Sequence, residues 1–164
     1  MELATLCYIR DSGKTLMLHR NKRDDDMHEG FYVGLGGKFQ PGESPEECVI
    51  REVQEESGLT IKPEFKGILT FANEERSFNG KKRPDYYVFV YTSSEYSGNM
   101  KSGREGELEW ILDEEVNGLP MWEGDRIFTD WIYEDKVFSA KFKYVDDKLE
   151  DYNVEFYPSN RRSP

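Results

Sequence analysis

The sequence predicts an α/β fold, and three observations carry that expectation. Apolar runs of strand length recur along the whole chain, separated by turn residues. One segment, residues 45–57, has an apolar side at helical spacing and start and stop signals at its ends. The chain has 164 residues, 37% of them hydrophobic, which suits one domain with a sizeable core.

Residues 3–10 (LATLCYIR) and 15–19 (TLMLH) read as strands joined by the turn Asp11-Ser12-Gly13-Lys14. Residues 21–30 are polar and charged and read as a loop. Gly30, Gly34, Gly36 and Gly37 crowd the next segment, where the backbone can approach its neighbours closely. For the helix over 45–57, Ser44 is the N-cap, Pro45 suits the first position, Ser44 and Glu47 form a capping box, and Gly58 is the stop. Val49, Ile50 and Val53 supply its apolar side, with Cys48 beside them as a small packing residue. Strands are expected at 65–72, 85–92 and 107–112, then a short helical turn at Asp113–Val116. Ile127, Phe128 and Trp131 recur at helical spacing and predict a second helix over 123–135. Residues 137–145 and 152–157 form a closing hairpin; one domain spans 1–158, and 159–164 are a short flexible tail.

Charge narrows the function. A net charge of −11 argues against nucleic-acid strands, whose binding rests on Lys and Arg, and against anionic membrane surfaces. A small phosphorylated substrate stays open, because a divalent ion and a few local cations can screen it. Cys7 and Cys48 suggest neither a metal site nor a disulfide framework. No stretch resembles a signal peptide or reaches transmembrane length, so a cytoplasmic setting is expected. His19 and His28 have no Cys or His partners at ligand spacing.

The chemistry concentrates in residues 37–59, GKFQPGESPEECVIREVQEESGL. Glu52, Glu55 and Glu56 stand at i, i+3 and i+4, which puts three carboxylates on one helix face. Like charges so placed repel, and divalent cations would neutralise them. Oxygen-only ligands favour a hard ion, Mg²⁺ or Mn²⁺. Glu46 and Glu47 read as a solvated face, with Glu47 also serving the cap.

The stretch satisfies Gx5Ex7REUxEExGU, with U a bulky aliphatic, and by it the chain is identified as a member of the Nudix hydrolases. The likeness runs from about residue 3 to residue 157 and is to MutT-type members. It implies an α/β/α sandwich with a mixed β-sheet. It also implies hydrolysis of a nucleoside diphosphate linked to another group, with water attacking phosphorus in line beside divalent ions. Carried over by residue, Glu52, Glu55 and Glu56 bind metal, the Gly37 carbonyl completes the shell, Arg51 orients the glutamates, and Glu43 supports them. A glutamate of the box, or one from a later loop, activates water. The later candidate is Glu105, in Arg104-Glu105-Gly106-Glu107, with Glu107 as the fallback and an ordinary loop charge as the plainer reading.

Substrate choice lies outside the box. GLGGK at 34–38, the segment Leu119–Asp125 and the closing FSAKFKY and DYNVEF are similar to the branch containing the mammalian MutT homologue and its bacterial relatives. Those enzymes cleave oxidised purine nucleoside triphosphates to the monophosphate and pyrophosphate. The likeness implies that Trp122 stacks on the base, that Phe71 lines the pocket, and that Asp125 bonds the base edge. Gly124 stands where that branch has the first of two aspartates, and Val33 where it has an asparagine. A core aromatic at 122 and a helix cap at 125 are the plainer readings. Arg23 and Lys38 are the expected phosphate contacts, and Lys81-Lys82-Arg83 reads as a solvated hairpin tip. Positions 74–77 carry neither the proline of ADP-ribose enzymes nor the tyrosine of dinucleoside polyphosphate ones. The expected substrate is therefore a purine nucleoside triphosphate such as 8-oxo-dGTP. A broad nucleoside or pterin triphosphate pyrophosphatase, or a non-catalytic ligand sensor, are the alternatives. Monomer and homodimer are both left open.

Overall fold

In the computed structural model, residues 1–21, 30–76, 82–103 and 105–158 are described. Strands alternate their side chains between two faces, and here both faces are apolar. β1 (Glu2–Asp11) sends Cys7 and Ile9 to one side and Tyr8 to the other. β2 (Lys14–His19) splits likewise, Leu16 and Leu18 against Met17. The remaining strands are β3 (Tyr32–Val33), β4 (Thr60–Ile61), β5 (Glu64–Glu74), β6 (Tyr86–Ser93), β7 (Tyr96–Ser97), β8 (Glu107–Leu112), β9 (Val137–Val145) and β10 (Lys148–Tyr157).

Among the described residues the main sheet has eight strands in the order β10-β9-β5-β6-β1-β2-β3, with β8 joined to β2. β1 runs parallel to β6 and β5 parallel to β9, whereas the other pairs are antiparallel, so the sheet is mixed. β4 and β7 form a separate small ladder.

α1 (Pro45–Ser57) covers one face. Ser44 Oγ accepts from the Glu47 N–H at 3.1 Å, the Glu47 carboxylate accepts from the Ser44 N–H at 3.0 Å, and Gly58 closes the helix at φ 78°. Val49 and Val53 pack with Ile9, Leu18, Leu35 and Leu59 in the second core cluster, and Cys48 is buried beside them. Ile50 departs from its expected place: it is 36% exposed, because a step of 100° from Val49 carries it off the buried stripe.

α2 (Glu123–Phe128) and 3₁₀ turns at Asp113–Gly118 and Trp131–Tyr133 cover the other face, completing an α/β/α sandwich. The helix expected over 123–135 thus stops at Phe128. Beyond Phe128 the backbone tightens, the Asp130 N–H reaching the Ile127 carbonyl at 3.4 Å, and the Asp130 carboxylate accepts from Asn117 of the preceding 3₁₀ turn at 3.2 Å. Trp122, with no side-chain cap, precedes α2, so Asp125 lies inside its first turn instead of capping it. The closing hairpin is tighter than expected. β10 begins at Lys148, and Asp146 and Asp147 make the turn at φ 48° and 68°. Among the described residues no helix is long and apolar enough to cross a membrane.

Candidate active site

The segment Gly34–Lys38 lies along β1 and forms the floor beneath the α1 glutamates. Gly36 sits at φ 154°, and a Cβ there would fall 2.0 Å from the Thr5 carbonyl oxygen, so only glycine fits. Its N–H donates to Glu56 Oε1 at 2.7 Å. At Gly37 a Cβ would lie 2.5 Å from the Glu52 carboxyl carbon; the side chain rests directly on that backbone. The Gly37 carbonyl accepts from the Thr5 N–H at 2.9 Å, with the Thr5 hydroxyl at 3.4 Å and the Cys48 thiol of α1 at 3.6 Å. Gly37 also gives Glu52 its space.

Arg51 ties the acidic face together. Its Nε and Nη2 grip Glu43 at 2.6 and 2.9 Å, and its Nη1 donates to Glu52 at 2.9 Å and Glu55 at 3.2 Å. The guanidinium holds the Glu43 carboxyl below its usual range. Burial raises Glu52, with Arg51 opposing and Glu55 and Glu105 adding to the rise. Burial also pushes Glu56 up to about 8, against the Gly36 N–H and with help from Glu105 and Glu52. Glu105, from the loop before β8, therefore faces the same cluster; Arg20 meets it at 3.2 Å. Glu107 instead stands exposed at the start of β8, opposite His19. Glu46 is no free surface charge, since it accepts the hydroxyl of Tyr91, a residue buried against α1.

Among the described residues no three carboxyl, imidazole or thiol groups stand close enough to hold an ion as they are. The donor set nevertheless fits one. Glu52, Glu56 and Glu105 offer oxygen alone, two of them are raised by burial and by their neighbours, and a dication relieves both effects. Glu55, with 57% of its side chain exposed, joins the group through Arg51.

A second cluster lies across the sheet. The Trp122 ring meets Phe31 edge-on at 5.3 Å and Tyr144 at 6.0 Å. Phe71 stacks on Phe142 at 5.7 Å and touches Tyr144 at 6.2 Å, so Tyr144 joins the two expected pocket residues. Asp125 is pushed up to about 7 by burial, and its charge is felt by Tyr8 and Tyr144. Gly124 donates its N–H to the Tyr144 hydroxyl at 2.7 Å, and a Cβ there would lie 2.8 Å from that oxygen. Tyr144 thus fills the room a side chain at 124 would need. Val33 turns toward the α1 side of the sheet, whereas Tyr32 packs on the aromatic side and Gly34 makes room for the Tyr8 ring.

The expected residues therefore gather in two places: Glu43, Arg51, Glu52, Glu55, Glu56 and Glu105 near Gly37, and Phe71, Trp122 and Asp125 around Tyr144. Lys38 joins neither directly: its amine is mostly exposed and lies 3.6 Å from Glu2, while its carbonyl accepts from Arg51. Arg23, His28, Lys81, Arg104 and the tail 159–164 lie outside the described residues. Arg20, Tyr8, Tyr144 and Arg83 were not anticipated. The alternation in FSAKFKYV, which buries Phe138, Ala140, Phe142 and Tyr144 together, could have signalled Tyr144. Arg83 had no such signal: instead of a solvated tip, its guanidinium lies 4.9 Å over the Trp122 ring.

A family model for the NUDIX domain matches residues 2–132. An uncharacterised Nudix hydrolase of Bacillus subtilis, YvcI, is 26% identical over 163 residues, covering 94% of this chain and 98% of that protein. An oxidized purine nucleoside triphosphate hydrolase of Danio rerio is 28% identical over 156 residues, covering 92% and 95%. Among solved structures, a MutT protein from Bacillus halodurans superposes with a TM-score of 0.82 at 33% identity, covering 94% of this chain and 98% of that one.

Proposed function

The chain belongs to the Nudix family, and we propose that it is a Mg²⁺-dependent pyrophosphohydrolase of purine nucleoside triphosphates, oxidised ones such as 8-oxo-dGTP among them. The products are the monophosphate and pyrophosphate. One observation carries this reading: an Arg51-bound glutamate cluster occupies one side of the sheet, and an aromatic pocket with the half-buried Asp125 carboxylate occupies the other. The name of the Danio rerio relative points the same way.

A bound Mg²⁺ or Mn²⁺ supplies charge neutralisation and an acidified water. The chain does the positioning that phosphoryl transfer chiefly needs. Arg51 sets Glu52 and Glu55, the Gly36 N–H fixes Glu56, and Arg20 holds Glu105 toward them. Glu55, Glu56 and Glu105 are the groups available to orient or deprotonate the attacking water. Trp122 and Phe71 present flat apolar surface to a base, and stacking of this kind contributes about 1–3 kcal/mol per base. Asp125, once ionised, accepts from N–H groups on the base edge.

The test is a substrate panel with Mg²⁺ and product identification by mass: 8-oxo-dGTP, 2-hydroxy-dATP, dGTP, dATP, dCTP, dihydroneopterin triphosphate, ADP-ribose and diadenosine polyphosphates. Purine triphosphates are expected to exceed dCTP in kcat/KM by about tenfold or more, a discrimination within reach of pocket contacts. Equal rates on dCTP would replace this reading with a broad triphosphatase, and a preference for ADP-ribose would discard the triphosphate substrate while keeping the Nudix chemistry.

A further inference from the structure

Arg83 stands at the base pocket with no part yet in binding. Its guanidinium carbon is 4.9 Å from the centroid of the Trp122 ring, over the kind of surface on which a base stacks. Its Nη2 donates to Asp147 Oδ2 at 3.1 Å, and only 25% of the side chain is exposed. Asp147 owes its position to the tight β9–β10 turn, where it adopts φ 68°. A flat, delocalised cation on an indole face resembles the base that would take its place.

We propose that Arg83 is a specificity-determining residue. It covers Trp122 in the free enzyme, yields that face to an entering purine, and then donates to the acceptor edge of the base. This inference rests on the purine triphosphate assignment. A guanidinium has donors and no acceptor. Among bases its matched partner is the O6/N7 edge of guanine, which offers two acceptors side by side. Oxidation of guanine at C8 places a hydrogen on N7, and the edge loses one acceptor. Adenine presents an amino donor beside N7 and fits no better. Asp125 accepts from the N–H groups of the opposite edge. Asp147 is a positioning residue that keeps the displaced guanidinium at the rim. Arg83 thus tilts the pocket toward intact guanine and limits its preference for the oxidised base.

The experiment measures kcat and KM for dGTP and 8-oxo-dGTP with the full chain and Mg²⁺, in wild type, Arg83→Met, Arg83→Lys and Asp147→Asn. Methionine keeps an apolar stem and removes the donors. The ratio of kcat/KM for dGTP over 8-oxo-dGTP is expected to fall about tenfold in Arg83→Met, chiefly through KM for dGTP, as loss of a bidentate contact predicts. Arg83→Lys, which keeps the charge without the fork, and Asp147→Asn should shift the ratio in the same direction by less. They carry the test if the methionine variant fails to fold. A ratio unmoved in the folded variants, with wild type active on both substrates, overturns the role of Arg83 alone. A wild type inactive on every purine triphosphate overturns the substrate assignment and this inference with it.

Discussion

Glu56 shows what a single carboxylate contributes here. Burial moves it from an ordinary value of 4.5 to about 8, so in the native state it holds a proton that the unfolded chain would release between those values. Above that window the ionised group weighs against folding, a cost in keeping with the role proposed for it. Glu56→Gln is expected to lower kcat with Mg²⁺ by orders of magnitude. Its thermal midpoint at pH 9 in metal-free buffer should equal or exceed that of wild type. Near-normal turnover would remove Glu56 from the catalytic set. The three box glutamates could be read from sequence because their spacing is a local pattern on one helix. Arg20 and Arg83 could not, since each meets its partner across the fold and nothing in its own neighbourhood marks the contact.

At the scale of elements, α1 is the most legible piece, for its boundaries rest on short-range chemistry: a serine cap, a proline, a reciprocal glutamate and a left-handed glycine. Ser44→Ala removes the acceptor for the Glu47 N–H and is expected to destabilise the protein by about 1 kcal/mol, read as a lower urea midpoint at unchanged slope. No change would mean that packing of Val49 and Val53 alone holds the first turn. α2 was harder to read. Its apolar spacing continues past Phe128, but the chain tightens into the 3₁₀ turn Trp131–Tyr133 and Asp130 is held by Asn117 from another segment, neither of which periodicity registers. The short strands β3, β4 and β7 have too few residues to show alternation.

At the scale of the molecule, the parallel joins β1–β6 and β5–β9 link segments far apart in the chain and carry no local signature. The family pattern, and not periodicity, made the layered architecture legible. A predicted property belongs to this scale as well. Mg²⁺ binding to the native state alone stabilises it, by about 2.7 kcal/mol at a hundredfold excess over Kd. The thermal midpoint should therefore climb with Mg²⁺ in wild type, at fixed ionic strength, and lose most of that climb in Glu56→Gln. An equal climb in both would mean that the ion binds the diffuse charge of this acidic chain, net −11, and not the cluster. Finally, the sheet keeps two packed layers apart: α1 lies over Cys7, Ile9 and Leu18 through Val49 and Val53, whereas Trp122, Phe71 and Tyr144 pack over Tyr8, Met17 and Val90. On the proposed reading, side chains around the base are exchanged without repacking the layer that carries the glutamates.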